Sequence, residues 1–432
     1  MKRSSTSSKS KPQTVLHASA ARGSADQAKL GPEISASNLS RRFWVIVFVG
    51  FVSIAAVGGA LIAYRSSLNK SIADLRISCE RARRNGDWPE LERLARQWAN
   101  LEPSRVAPWT MAAAAARAMG ELELCAQYLS QLPDTAPVEA FHELSLLQME
   151  TLVEPLAARD TCQRAIKQYP SDIESSARLL FIHAMMCDRD ALIAEADRAI
   201  RAGADSKITF AYWVSAKWLT FNNGHDLNRY WLEKQPTNSA FEIAAAVHQL
   251  SNRDLTSATN PIGSSQTQSD SASENQKLLQ SLMDRYPSNK ELLAIALSNL
   301  IQAGDALKFS QVLSSAPAET ATDNRFWRYK GWLHSANEEW DESIQAYEKA
   351  IELWPVDFAS QNELAGVLRK RQGVEVAKDM QRKATLGTEV ALAILRASNF
   401  ESIADADYKK MADYLELCGK KELAQGLRRL CE

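Results

Sequence analysis

The side chains that most often carry out catalysis or bind metals are scattered along this chain. Its six histidines and six cysteines never recur at the close spacing that places two ligands on one metal ion, such as HExxH or CxxC. The patterns GxGxxG, GxxxxGK(S/T) and GxSxG, which mark phosphate-binding loops and serine hydrolases, are also absent. The sequence therefore predicts no catalytic residue, no metal site and no cofactor, and indicates that the protein is not an enzyme.

Neighbouring carboxylates are the remaining source of acid–base chemistry. The pairs Glu338/Glu339 and Asp341/Glu342 fall at the start of a predicted helix, where the helix dipole favours acidic side chains. We interpret them as solvated helix ends. The cysteines fall mostly at helix positions expected to face the core, which indicates buried structural thiols.

The composition narrows the class of protein further. Among 432 residues, 51 Lys and Arg balance 52 Asp and Glu, so the net charge is -1. Such a balance argues against nucleic acid as the partner of the whole chain. With 45% hydrophobic residues, most of the chain is expected to fold.

Residues 1–42 are basic and rich in serine. The first 40 residues contain no aromatic side chain, and such a segment cannot bury enough apolar surface to offset its chain entropy. We therefore predict that residues 1–42 form a disordered tail.

An apolar run follows this tail from Phe43 to Tyr64 and contains no charged residue. A helix rises about 1.5 Å per residue, so the run is long enough to cross a hydrocarbon core of about 30 Å. Trp44 and Tyr64 lie near its two ends, where amphipathic rings favour the membrane interface. The run is longer than the apolar part of a usual signal peptide and begins late. It therefore predicts one uncleaved transmembrane helix.

The orientation of this span is not decided by counting charges. Arg41 and Arg42 precede it, but Arg65 and Lys70 follow closely. A short basic tail before a single span most often stays in the cytoplasm. We therefore expect a single-pass membrane protein with a cytoplasmic tail and a body on the outer, periplasmic side.

The body, residues 66–432, has the apolar period of helices almost throughout. Leu91, Leu94, Ala95 and Trp98 are one example of spacing by three and four. Residues 256–274, TSATNPIGSSQTQSDSASE, lack that period. We predict a surface loop insertion there.

A period of 34 residues runs through the body. Ala165 and Ala199 lie 34 residues apart, as do Pro103 and Pro137, and the clearest unit is 324–356. With Trp327 as its position 4, positions 8, 20, 24, 27 and 32 are Gly331, Ser343, Tyr347, Ala350 and Pro355.

With these residues the body resembles the tetratricopeptide repeat family. The next unit, 358–388, keeps the small and large packing positions but lacks the closing proline, and units near 207–238 and 240–288 match poorly. The resemblance implies an all-α fold, an α-solenoid of helix-turn-helix repeats after the tail and the transmembrane helix. Small residues at positions 8 and 20 let two helices approach, the ring at 24 fills the gap, and the proline closes the second helix.

The resemblance also implies a concave groove, lined mainly by first helices, that binds peptides. Family members that grip a terminal carboxylate use Lys, Arg and Asn from these helices, and Arg pairs well with carboxylates. In the units 324–356 and 358–388 the corresponding residue types form a predicted peptide-binding strip. The strip consists of Arg325, Arg328, Trp332, Asn362, Arg369 and Lys370. The alternative is a solvated basic face.

Together these patterns predict a membrane-anchored scaffold or adaptor that binds a protein or peptide partner, with no nucleic acid and no small-molecule substrate. The alternative is a periplasmic chaperone or envelope assembly factor that holds secreted or unfolded clients through apolar contacts. If the body lies outside the cytoplasm, a disulfide between Cys418 and Cys431 would bridge the two helices of the last unit.

Overall fold

The computed structural model describes residues 36–259 and 265–432, with side chains described at these positions except 36–42 and 252–272. By its internal contacts the chain divides into two units, Met1–Ser71 and Ile72–Glu432. The described residues are helical and contain no β-strand, which confirms the all-α class.

The α-helices of the described residues, numbered in chain order, are Ala36–Asn85 (α1), Trp88–Leu101 (α2), Val106–Ala118 (α3), Leu122–Ser130 (α4), Val138–Leu146 (α5), Pro155–Gln168 (α6), Ile173–Met185 (α7), Arg189–Ala202 (α8), Lys207–Ser215 (α9), Gly224–Lys234 (α10), Ser239–Thr259 (α11), Ser265–Arg285 (α12), Lys290–Ala303 (α13), Ala306–Ser314 (α14), Asn324–Ala336 (α15), Trp340–Leu353 (α16), Phe358–Gln372 (α17), Val374–Arg396 (α18), Asp405–Leu417 (α19) and Lys421–Leu430 (α20). A π-helical turn, Leu147–Thr151, and two 3₁₀ turns, Ala318–Thr322 and Phe400–Ser402, lie between them.

Helix α1 contains the apolar run and is 50 residues long in total. Among the described residues it is the one helix long and apolar enough to cross a membrane, and its most apolar stretch has a mean hydropathy of 2.6 with none of it buried. The side chains of Phe48 and Ile54 are 69% and 74% exposed. The run from Phe43 to Tyr64 is therefore not part of a protein core.

The boundary predicted for the tail was wrong by several residues. Residues 36–42 already belong to α1, while residues 1–35 lie outside the described residues. Once a helix exists, each added residue gains a hydrogen bond for the dihedral angles it fixes. A flanking segment can therefore join the helix without an apolar face of its own.

The predicted loop at 256–274 was also wrong where the structure describes it. Residues 256–259 end α11 and residues 265–274 begin α12, whereas 260–264 lie outside the described residues. The missing apolar period suggests a loop. However, a polar segment can form a helix through its backbone hydrogen bonds alone when it adjoins a helical segment that is packed against the protein. Residues 278–283 of α12 supply such a segment, because Leu279 and Leu282 are buried.

Local signals set many helix ends in the second unit. Gly203 and Gly304 follow α8 and α13 with φ of 69°, a left-handed conformation that glycine adopts without strain. Aspartate carboxylates accept the backbone N–H three residues ahead and so begin several helices. These N-caps are Asp87, Asp172, Asp188, Asp305 and Asp357.

The unit 324–356 packs as its spacing predicts. Helices α15 and α16 touch where Ser343 donates a hydrogen bond from Oγ to the carbonyl oxygen of Gly331 at 2.8 Å. A Cβ atom placed on Gly331 would lie 2.8 Å from the ring of Tyr347, which is fully buried. The small residues at positions 8 and 20 and the ring at 24 therefore form one contact, and the TPR-like packing of this unit is confirmed.

The last two helix pairs contact each other through a second glycine. A Cβ atom on Gly387 of α18 would lie 2.5 Å from Cβ of Phe358 and 2.6 Å from the ring of Tyr414 in α19. In the preceding unit, α16 ends at Leu353, just before Pro355. The corresponding helix of the next unit, α18, is longer and ends only at Arg396. This extension agrees with the missing proline in the unit 358–388.

The last helix pair packs back on the middle of the second unit. Lys207 at the start of α9 pairs with Asp405 of α19 at 2.6 Å. The rings of Trp213 in α9 and Trp354 after α16 stack with centroids 4.5 Å apart. The largest buried cluster accordingly joins α7–α9 to α18–α20. The chain between α9 and α20 thus returns on itself and contacts its own earlier helices.

This return of the chain covers part of the predicted groove. Trp218, just after α9, packs edge-on against Phe358 at the start of α17, with ring centroids 6.0 Å apart. Lys217 and Trp218 line the same cavity as Arg325 and Arg328 of α15. The open groove predicted at these positions is therefore reduced to a small cavity, because contacts between distant parts of the sequence cover it.

Candidate functional site

Arg325, the first cation of the predicted strip, is 5% exposed. Its Nη1 and Nη2 donate to the Oε2 and Oε1 atoms of Glu291 at 2.8 and 2.6 Å. Its Nε and Nη2 also donate to Asp323 at 3.1 and 2.7 Å. Both edges of the guanidinium are therefore paired inside the protein, and the groove role predicted for Arg325 was wrong.

Glu291 is shared between two arginines. Nε of Arg189 in α8 donates to its Oε2 at 2.7 Å, while Nη1 of Arg189 donates to the carbonyl oxygens of Ala216 and Leu219. One carboxylate at the start of α13 thus links α8, α13 and α15. We call Arg189, Glu291, Asp323 and Arg325 the buried ion cluster.

Sequence reasoning missed three members of this cluster. Asp323 shows a local signal, since it is the N-cap of α15, and Glu291 lies in the first turn of α13. Neither signal indicates a buried partner. Arg189 and Glu291 are 102 residues apart, so only the packing of distant parts of the sequence brings them together.

Arg328, the second cation of the strip, is half-buried and less tightly paired. Its Nη1 donates one hydrogen bond to Asp357 at 3.3 Å, and its guanidinium lies over the Tyr329 ring, 5.5 Å from the centroid. Asp357 accepts shorter bonds from Asn324 at 2.7 Å and from the hydroxyl of Ser360 at 2.6 Å. Arg328 is therefore the member of the strip that keeps donor capacity inside the fold.

Trp332 does not stand free as an aromatic anchor. Its ring packs on Phe309 of α14 with centroids 4.7 Å apart, and it belongs to the cluster between α13, α14 and α15. Aromatic pairs at this distance stabilise packing. Trp332 thus packs between helices, and the structure does not place it in a groove as the predicted anchor.

The other three strip residues lie on α17. Asn362, Arg369 and Lys370 are exposed, and Nζ of Lys370 lies over the Trp340 ring, 5.4 Å from the centroid. None of the hydrogen bonds and ion pairs among the described residues joins them to Arg325, Arg328 or Trp332. The predicted strip is therefore divided between the buried ion cluster, a helix interface and an exposed face.

A cavity of about 220 Å³ opens beside the buried ion cluster. We call it the cationic cavity because four of its five charged lining residues are basic. The lining residues discussed below are Arg189, Lys217, Trp218, Glu291, Arg325 and Arg328.

The acids of this region are held ionised. Burial would raise the pKa of Glu291, but the charges of Arg325 and Arg189 outweigh it and hold the pKa well below its usual value. Burial acts against ionisation of Asp323 too, and the charge of Arg325 again lowers its pKa. Both groups are therefore carboxylates at neutral pH, so the cluster is an ionic one.

One buried Cys–His contact resembles a catalytic pair by residue type. Sγ of Cys187 lies 3.5 Å from Nε2 of His248. Nδ1 of His248 accepts the N–H of Phe221 at 3.0 Å, so Nε2 carries the proton and donates to the carbonyl oxygen of Met185 at 2.9 Å. Burial lowers the pKa of His248 to about 4 and raises that of Cys187 to about 12. This pair holds a neutral thiol and no available base, which is opposite to nucleophile activation.

The remaining candidate groups give no metal or redox centre among the described residues. No cluster of three His, Cys, Asp or Glu side chains is placed there to hold a metal ion. All six cysteines are free thiols, including Cys418 and Cys431. Four of the six are buried, which confirms the prediction of structural thiols.

No protein-family model matches the sequence, and no curated protein matches it. The chain is similar to solved structures of TPR-repeat proteins. A tetratricopeptide repeat protein from Parabacteroides merdae is 12% identical, with a TM-score of 0.26, and the match covers 69% of this chain and 99% of that one. Yeast Tom70 is 11% identical, with a TM-score of 0.28, and the match covers 83% and 89%.

Human IFIT1, solved as a dimer with m7Gppp-AAAA, is 12% identical, with a TM-score of 0.27 and coverage of 83% and 89%. At such low sequence identity, the partners and ligands of these proteins cannot be assigned to this chain. These similarities also give no support to the exclusion of nucleic acid that the net charge suggests.

Proposed function

We propose that the protein is a membrane-anchored adaptor whose helical-repeat body binds a protein partner. Residues 43–64 cross the membrane, with the tail in the cytoplasm and the body on the periplasmic side. Anchoring confines the bound partner to the membrane surface, where its effective concentration rises.

The observation that supports this proposal most is the uncovered apolar run of α1. Among the described residues, its side chains from Phe43 to Tyr64 are not buried. Apolar surface in water costs about 25 cal/mol per Å², and soluble monomers rarely expose contiguous patches of more than a few hundred Å². A bilayer removes that cost.

The face proposed for the partner is the exposed part of the predicted strip on α17. Asn362 offers an amide to a peptide backbone, and Arg369 and Lys370 offer two positive charges. These side chains are exposed, so a partner reaches them without disturbing the fold. An acidic peptide segment fits this chemistry.

Charge reversal on α17 tests this face. With the full chain in its membranes and partners fixed by cross-linking, Arg369→Glu with Lys370→Glu is expected to lower the recovery of a specific partner about tenfold at low salt. Two lysines on other helices provide the matched control, since Lys378 of α18 and Lys409 of α19 are also exposed. Lys378→Glu with Lys409→Glu should leave recovery unchanged. Equal recovery with both double variants contradicts the α17 face.

A groove between α12, α13 and α14 favours a second candidate, the holding of unfolded or secreted clients. It measures about 430 Å³, and its walls include Leu279, Met283, Leu300 and Val312. Apolar clients would bind it with little dependence on ionic strength, whereas charged contacts on α17 weaken as salt rises. Recovery that is insensitive to salt therefore supports the client-holding function.

A further inference from the structure

The cationic cavity is a place in the fold that the adaptor function does not use. It lies beside the buried ion cluster and holds about 220 Å³. This volume is large enough for one small organic molecule.

The charges around the cavity do not cancel. Five basic groups face four acids that pair with them, which leaves one positive charge in excess. The basic groups are Arg189, Lys217, Lys290, Arg325 and Arg328, and the acids are Asp190, Glu291, Asp323 and Asp357. Farther along α17, the carboxyl group of Glu363 interacts with the charge of Arg328 and, less strongly, with that of Lys370, so it offsets part of this excess. Four basic residues and one acid line the cavity itself, so its potential is positive and favours an anion.

Arg328 is the cation best placed to take that anion. Arg325 makes hydrogen bonds of 3.1 Å or less to two carboxylates, whereas Arg328 makes one bond of 3.3 Å to a carboxylate, that of Asp357, and otherwise interacts with Tyr329. Its guanidinium therefore retains donors for a carboxylate.

A second donor lies in the same wall. The Nε1 atom of Trp218 is buried and has no hydrogen-bond partner, and Trp218 lines the cavity. A buried N–H without an acceptor is unfavourable and rare. An oxygen atom in the cavity would satisfy it.

The rest of the lining combines apolar walls with four polar side chains, those of Thr220, Ser251, Ser298 and Asn299. Val247, Leu250, Ile295, Phe358 and Leu395 contribute to the apolar walls. A ligand that matches these walls has an apolar body and one charged end. An inorganic anion would cover none of these apolar walls.

We propose that the cationic cavity binds a small organic acid with one carboxylate and an apolar body. The carboxylate accepts hydrogen bonds from Arg328 and from Nε1 of Trp218, and its body lies against the apolar wall. The site goes beyond the adaptor function, because it uses a cavity of the fold rather than the exposed face of α17.

Binding of benzoate to the full chain in nonionic detergent, followed by titration calorimetry, tests the proposal. Benzoate is expected to bind with a Kd of about 1 mM or below, and the neutral isostere benzamide about tenfold more weakly. Arg328→Gln should weaken benzoate about tenfold and leave benzamide unchanged. Arg198→Gln is the matched control, since the side chains of Arg198 and Arg328 are both 26% exposed and each pairs with a buried carboxylate. It should bind benzoate like the wild type.

Three results would overturn the site: no benzoate binding up to about 10 mM, equal binding of benzoate and benzamide, or equal binding by Arg328→Gln and the wild type. Thermal unfolding of both variants shows that they are folded. If Arg328→Gln unfolds early, Trp218→Phe, which removes only the indole N–H, replaces it and should weaken benzoate severalfold. Loss of this site leaves partner recovery through α17 unaffected, so the two proposals fail independently.

Discussion

Replacing Glu291 with glutamine is expected to lower the free energy of unfolding of the body by about 3–5 kcal/mol. The carboxylate accepts hydrogen bonds from both Arg189 and Arg325 and its side chain is only 8% exposed. The neutral amide leaves a guanidinium charge buried without compensation, and its NH₂ group cannot accept a hydrogen bond. Chemical denaturation of the full chain in detergent at pH 7, followed by tryptophan fluorescence, measures the loss.

Glu90→Gln provides the control, because Glu90 pairs with Arg93 at the surface and exposed pairs contribute little. Acid titration adds a second readout. Since the folded protein holds the pKa of Glu291 well below its unfolded value, its stabilisation is complete above about pH 4.5 and is lost as the pH falls further. In Glu291→Gln, the free energy of unfolding should therefore fall less between about pH 4.5 and lower pH than in the wild type. Equal stability of variant and wild type at pH 7 contradicts the buried ion cluster.

Replacing Tyr347 with alanine is expected to cost about 3–5 kcal/mol, the usual cost of deleting a large buried ring. Tyr347 is fully buried and fills the space above Gly331, where a Cβ atom would lie 2.8 Å from its ring. Gly331→Ala alone should also destabilise, by about 1–3 kcal/mol through overpacking. Denaturation of both variants and of the double variant gives the coupling between the two positions.

The coupling is the informative quantity. In the Tyr347→Ala background the added methyl group meets a cavity, so Gly331→Ala should cost nothing there and the two effects should not add. Gly366→Ala is the matched control, because a Cβ on that helical glycine meets nothing within 4 Å. It should stabilise slightly through helix propensity. Additive costs for Gly331 and Tyr347 would show that the predicted contact of positions 8 and 24 is not what holds the pair together.

The local parts of the fold could be predicted from the sequence. Helix pairs follow from apolar spacing over short stretches, and the contact of Gly331, Ser343 and Tyr347 lies within one unit. The helix bearing the run from Phe43 to Tyr64 could also be predicted, because length and lack of charge decide it. Polar stretches were less predictable, as residues 265–274 show.

The candidate site was less predictable because its geometry is non-local. Lys207 and Asp405 are 198 residues apart, and Arg189 and Glu291 are 102 apart. Repeat spacing determines how neighbouring helices pack, but it does not predict which helix pairs far apart in the sequence contact each other. Residue type alone therefore indicated that Arg325 was available, while the folded chain pairs it internally.

The membrane anchor is the basis of the proposed function, and extraction of isolated membranes at alkaline pH tests it directly. The wild-type chain should stay in the membrane pellet. Replacing Val49, Ile54 and Val57 with lysine should release the chain, since three charges cost about 8–10 kcal/mol near the centre of a span. Ile77→Lys, on the same helix beyond the run and also exposed, should remain in the pellet. Wild-type chain recovered in the soluble fraction would contradict the anchor and the function built on it.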